Sequence, residues 1–178
     1  MIRLFIAVDL PEPVKKELGR ICFGLPGARW VDQEQIHLTL RFIGEVDGGL
    51  FREIRAGLEN VVASPFPLLL KGLGCFPPRK EPHVLWVGVE KSEPLFQLRK
   101  KVDALLADLE IPPEKRKFSP HITLARLKET PLIRLTNFLS GNALFSLPEF
   151  QVTDFHLYSS ILTAKGAFHQ LEASYPLE

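Results

Sequence analysis

The 178-residue sequence holds one methionine, two tryptophans, two tyrosines and two cysteines, and its net charge is only +1. Each scarcity excludes something. Cys22 and Cys75 are too few for a disulfide framework or a closed thiolate metal site, and they form no Cys-X-X-Cys pair, so both are expected to be reduced core thiols. A charge near zero gives no bulk attraction for a long polyanion; any nucleic acid must be met by a local cluster of basic groups, which favours a strand end over a long duplex. Long apolar runs are missing too. Residues 1–8 are mostly apolar, but Asp9 and Pro11 cut the run far short of a membrane span, and no signal-peptide cleavage pattern follows. A cytoplasmic protein without membrane association is expected.

The chain is otherwise rich in what a core needs. Hydrophobic residues make up 46% and charged residues 24%, too apolar for disorder, and no low-complexity stretch or linker divides it, so residues 1–178 are expected to fold as one domain. Branched and aromatic residues concentrate at 3–10, 36–43, 66–76, 84–89, 118–127, 150–160 and 168–175, which predicts strands. Apolar residues at spacings of three and four predict helices over 12–23, 50–62, 95–109 and 132–139. In the first of these Val14, Leu18, Ile21 and Cys22 form the buried stripe while the lysines and Glu17 face away. The order of elements is an α+β pattern whose two halves look alike.

The likeness becomes specific at two tetrapeptides, His37-Leu38-Thr39-Leu40 and His121-Ile122-Thr123-Leu124. Strand alternation puts His37 with Thr39, and His121 with Thr123, on one face, and sends Leu38, Leu40, Ile122 and Leu124 into the core. Two imidazoles and two hydroxyls then converge on one small anion if the strands lie close together. Histidine suits acid and base work because its ordinary pKa of ~6.5 lets one ring be neutral and another charged near pH 7. Threonine hydroxyls supply fixed donors to phosphate oxygens. No carboxylate or cysteine stands at ligand spacing beside either motif, so neither a metal nor another cofactor is expected. The combination describes in-line displacement at phosphorus.

The chain resembles the RNA 2',3'-cyclic phosphodiesterases, also called 2'-5' RNA ligases, of the two-histidine phosphoesterase superfamily. The resemblance rests on Arg3-Leu4-Phe5-Ile6-Ala7-Val8, on His37 to Glu45, on Ser119-Pro120-His121-Ile122-Thr123-Leu124-Ala125-Arg126, on Leu157-Tyr158-Ser159-Ser160 and on Tyr175-Pro176-Leu177. It implies a bilobal α+β fold: two pseudo-symmetric antiparallel sheets with flanking helices, and a central cleft carrying one motif from each lobe. It implies hydrolysis of RNA 2',3'-cyclic phosphate ends, tRNA halves among them, to 2'-phosphates by a monomeric enzyme, with reversible 2'-5' joining as a companion. His37 would protonate the departing O3', His121 would activate water, and Thr39 and Thr123 would hold phosphate oxygens. Arg126 is a further phosphate ligand in this reading, although strict alternation puts it on the face opposite His121, so the role requires a bulge or bend. Arg41 has the correct parity and competes with it. Phe42 holds the place in the first half that Arg126 has in the second, where it stacks on a base or fills the core. Lys115, Arg116 and Lys117 are either a solvated loop or a backbone contact, and His83, His156 and His169, which lack a threonine partner, are expected to be structural, with His83 the exception if its proline-rich loop borders the cleft.

Overall fold

The structure, a computed structural model, describes residues 1–78 and 80–178. The opening strand β1 (Ile2–Asp9) buries Leu4, Ile6 and Val8 on one face and Phe5 and Ala7 on the other, so its unbroken apolar run reflects cover on both sides. Helix α1 (Glu12–Ile21) has a proline in its first turn, where a missing N–H costs nothing. Lys15 does not face away as expected: it is buried on α1, its ammonium 2.9 Å from Asp9. Ile21 and Cys22 are only half-buried. A short strand β2 (Ala28–Trp30) follows, then β3 (His37–Val46).

Helix α2 (Gly48–Gly57) starts where the Asp47 side chain accepts from the Leu50 N–H at 2.8 Å, and gives way to a 3-10 turn (Leu58–Asn60) before residue 62 is reached. The apolar stretch expected as one strand over 66–76 is two, β4 (Phe66–Leu68) and β5 (Leu70–Phe76), which join different sheets. Strand β6 (Val84–Val89) and helix α3 (Glu93–Asp108) come next, the helix capped by Ser92 and burying Leu95, Leu98, Val102 and Leu106. Strand β7 (His121–Leu127) begins only after Pro120, three residues later than predicted. Helix α4 (Leu132–Gly141), β8 (Phe150–Val152), β9 (Asp154–Thr163) and β10 (Gly166–Pro176) complete the chain.

The strands form two four-stranded sheets, ordered β10-β9-β1-β3 and β2-β7-β6-β5, with β4 and β8 paired separately. Every pairing is antiparallel. The lobes are not the two halves of the sequence. The C-terminal hairpin β9–β10 returns to complete the first sheet, and β2 from the N-terminal half forms the edge of the second. The sheets meet where β3 and β7, the two motif strands, run beside each other.

Each motif strand carries a bulge at the same place. In the first sheet Ala7 pairs with Thr39 but Ile6 pairs with Arg41, leaving Leu40 as an extra residue. In the second Trp86 pairs with Thr123 but Leu85 pairs with Ala125, leaving Leu124 as the extra residue. An inserted residue reverses the alternation beyond it. Thus Leu40 and Arg41 are both buried and Phe42 is exposed, just as Leu124 and Ala125 are both buried and Arg126 is exposed.

Candidate active site

Ahead of the bulges, His37 and Thr39 share one face of β3, and His121 and Thr123 share one face of β7, with Leu38, Leu40, Ile122 and Leu124 in the core on the other. Both imidazoles are anchored alike. The His37 Nδ1 lies 2.8 Å from the Gln35 carbonyl, and the His121 Nδ1 lies 2.8 Å from the Ser119 carbonyl, each two residues upstream. A carbonyl oxygen only accepts, so each ring carries its first proton on Nδ1 and leaves Nε2 to accept or donate a second. The His37 Nε2 is 3.0 Å from the Thr39 Oγ1.

The two rings differ in their surroundings. His37 packs against Phe5 at 5.0 Å between centroids, meets His169 nearly perpendicular at 5.2 Å and lies 6.3 Å from Tyr158. Burial pushes the His37 imidazolium down to about 4, helped by the neighbouring His169 and Lys15 and opposed by the Gln35 carbonyl and Asp9. His121 has Phe76 edge-on at 5.0 Å and Trp86 at 6.4 Å. The His37 shift has a consequence for stability. In the unfolded chain the ring protonates near its ordinary value of ~6.5, so between there and about 4 the unfolded state binds the extra proton and stability falls as pH falls. Chemical-denaturation curves are expected to lose about 3 kcal/mol between pH 7 and 4 from this group, and a His37→Asn variant is expected to lack that share of the loss.

Beyond the bulges the same face continues with unlike residues. On β3 it carries Phe42, whose cross-strand neighbours are Phe5 and, one strand further, Tyr158 stacked on Phe5 at 5.3 Å. On β7 it carries Arg126, flanked by Val84 of β6 and Arg29 of β2. The bulge that Arg126 required is therefore present in β7, and its counterpart in β3 turns Arg41 away from the His37 face. Arg41 is turned inward, donates to the Pro112 carbonyl and lies 3.4 Å from Asp103 and 3.6 Å from Glu114. Arg99 of α3 joins the same carboxylates at 2.7 and 2.8 Å and donates to the carbonyl of Leu40, the bulge residue itself.

His169, expected to be structural, borders His37, and its backbone N–H donates to the Gln35 Oε1 at 2.8 Å. Tyr158, Phe76 and Trp86 border the imidazoles as well, and only Tyr158 lay in a segment with a family likeness. His156 is buried against the Ser174 hydroxyl at 2.9 Å, whereas His83 is exposed. Lys115, Arg116 and Lys117 are exposed in the loop before β7. Cys75 is half-buried, not a core thiol, and burial raises it. Among the described residues no group of three or more histidine, cysteine or acidic side chains is arranged to hold a metal ion. Two hollows of about 300 and 320 Å³ lie elsewhere, one beside Pro11 and Phe150, the other beside Val61 and Tyr175, and neither is lined by a motif residue.

This two-lobed sheet pair with matched histidine motifs defines a two-histidine phosphoesterase architecture. Residues 10–162 match the 2'-5' RNA ligase superfamily, to which the chain belongs. The chain is 37% identical over 176 residues to the RNA 2',3'-cyclic phosphodiesterase of Thermotoga maritima, covering 96% of this chain and 92% of that protein. It is 32% identical over 173 residues to the enzyme of the same name from Archaeoglobus fulgidus, covering 95% and 97%. Among solved structures, TT0787 of Thermus thermophilus superimposes with a TM-score of 0.84 at 28% identity, covering 98% of this chain and 97% of that one. Escherichia coli LigT in apo form shares the fold, with a TM-score of 0.81 at 24% identity over 99% and 97% of the two chains. No helix among the described residues is long and apolar enough to cross a membrane.

Proposed function

We propose that this protein is an RNA 2',3'-cyclic phosphodiesterase that opens terminal cyclic phosphates to 2'-phosphates by acid and base catalysis between His37 and His121, without a metal. The observation that carries the reading is the duplicate anchoring of the two rings. Each Nδ1–H is tied to a carbonyl two residues upstream, and each Nε2 stands on the same face as a threonine hydroxyl. Relatives that cover nearly the whole chain bear the name of that activity.

In the proposed reaction the His121 Nε2 takes a proton from water as the water oxygen bonds to phosphorus. The P–O3' bond breaks, and O3' receives the proton held on the His37 Nε2, leaving the phosphate on O2'. His37 is neutral in the free protein at pH 7 because of its burial, so it acquires its proton with the anionic substrate, whose charge favours the imidazolium. Thr39, Thr123 and Arg126 hold the nonbridging oxygens, and Phe42, 58% exposed, offers a ring to the terminal base. With the 5'-hydroxyl of a second RNA end in place of water, the same displacement joins the ends 2'-5', and its reverse separates them. We infer a monomeric cytoplasmic enzyme folding as one bilobal unit, acting on short RNA ends such as tRNA halves.

Incubating the protein with nucleoside 2',3'-cyclic phosphates in excess EDTA tests the reading. The 2'-phosphate is expected as the product at a rate unaffected by the chelator. A 3'-phosphate product, or activity lost to EDTA and restored by one metal, would overturn it. Thr39→Ala and Thr123→Ala are each expected to cost about tenfold in kcat/KM, less than loss of either histidine, because each removes one donor of several. A threonine variant as inactive as the histidine variants would show that a hydroxyl is the nucleophile.

A further inference from the structure

The two lobes present matching motifs but unlike rows beyond the bulges, and the difference has a direction. In the first lobe the row is aromatic, with Phe42, Phe5 and Tyr158 as successive cross-strand neighbours. In the second it is cationic: Arg29 on the edge strand β2 stands directly opposite Arg126 on β7, and both are exposed. Neither arginine has a carboxylate within ion-pair distance among the described residues. Like charges placed directly opposite one another destabilise a sheet, and an anion laid across them reverses the sign of that effect.

Arg29 is also placed by the other lobe. The turn between β9 and β10 reaches over to it: a Cβ added at Gly166, whose φ is +119°, would meet the Arg29 Nη2 at 3.2 Å. Lys165, exposed on the same turn, adds a third cation. The Arg29 guanidinium thus stands at the junction of the lobes, one strand beyond Arg126, where neighbouring backbones are about 4.8 Å apart. That leaves room for a second phosphate following the first.

We propose that Arg29, assisted by Lys165, binds the phosphodiester immediately 5' of the terminal nucleotide, so that the enzyme selects RNA strand ends over free cyclic mononucleotides. This rests on the phosphodiesterase reading above, with the terminal base over the aromatic row and the strand leaving along the cationic one. A charged fork reading a backbone phosphate is indifferent to sequence, so the selection is for chain length and not for the penultimate base.

The test compares kcat/KM for a dinucleotide ending in a 2',3'-cyclic phosphate with that for the matching cyclic mononucleotide. Wild-type protein is expected to favour the dinucleotide, and Arg29→Ala to lower that preference about tenfold, mostly through KM. Arg29→Lys is expected to keep part of the preference, and Lys165→Ala to lower it by a smaller factor. In Arg29→Ala the salt dependence of the dinucleotide's log KM is expected to lose about 0.7 from its slope, as for one lost contact to a single strand. A preference left unchanged overturns the proposal, whether both substrates suffer equally, with or without a lower Tm, or neither does. Wild-type protein that cuts neither substrate would defeat the phosphodiesterase reading instead. The same ratio is then read from equilibrium binding of the 2'-phosphorylated dinucleotide and mononucleotide, where loss in Arg29→Ala supports the subsite and an unchanged ratio overturns it.

Discussion

His121→Ala is expected to lower kcat for cyclic nucleotide hydrolysis at least about a hundredfold, and His37→Ala to do the same, with both variants still folded. The size follows from the roles. Without His121 the attacking water keeps its proton until bulk solvent takes it; without His37 the O3' must depart as an alkoxide. The double variant is expected to be little slower than the worse single one, because a proton taken on one side is useful only when one is delivered on the other. Rates measured at saturating substrate, with circular dichroism to check folding, decide this. Turnover at the wild-type level in either single variant would remove that histidine from the chemistry. The pH profile adds a second reading: a bell is expected, its two limbs belonging to the pair of imidazoles and not to either one. A rate that climbs in one step to an alkaline plateau would mean that the leaving oxygen departs unprotonated and that one ring only binds phosphate.

Arg41→Ala is expected to destabilise the protein by about 3 kcal/mol, lowering Tm by about 6–12 °C. Arg41 is only 2% exposed. Its removal leaves a void beneath β3 and strips one of two cations from Asp103 and Glu114, which Arg99 alone must then serve. The cost is below that of a fully buried pair broken outright because both carboxylates are partly solvated. A thermal melt and a turnover assay on the same sample separate structure from chemistry. If Arg41 were the phosphate ligand that its parity suggests, activity would collapse with Tm unchanged. The Lys variant is expected to recover little of the Tm, since an ammonium cannot reproduce the planar fork shared among Asp103, Glu114 and the Pro112 carbonyl.

The bulges link these two expectations. Arg99 donates to the carbonyl of Leu40, and Arg41 is drawn inward by the same carboxylates that hold Arg99. The charge cluster under β3 therefore fixes the position at which alternation reverses, and with it the exposure of Phe42 on the face of His37. In β7 no such cluster is needed: the inward residue at the matching position is Ala125, which fits the core unaided, and the reversal brings out Arg126.

Much of the protein is a local property of its sequence. The period-two pattern of His37-Leu38-Thr39-Leu40 and His121-Ile122-Thr123-Leu124 by itself places an imidazole and a hydroxyl on one side of each strand, because side-chain alternation needs no partner. The major helices are local in the same sense, and their apolar spacing identifies them to within a few residues at each end. A bulge is different, since it exists only in the register between two strands: nothing within His37 to Val46 says that Ile6 will skip Leu40 to pair with Arg41. Which of Arg41 and Arg126 emerges on the histidine face was therefore decided by strand pairing. The same holds for His169 beside His37, and for Arg29 beside Arg126. Those neighbours arrive because the C-terminal hairpin completes the first sheet and a three-residue strand, too short to carry a period of its own, completes the second.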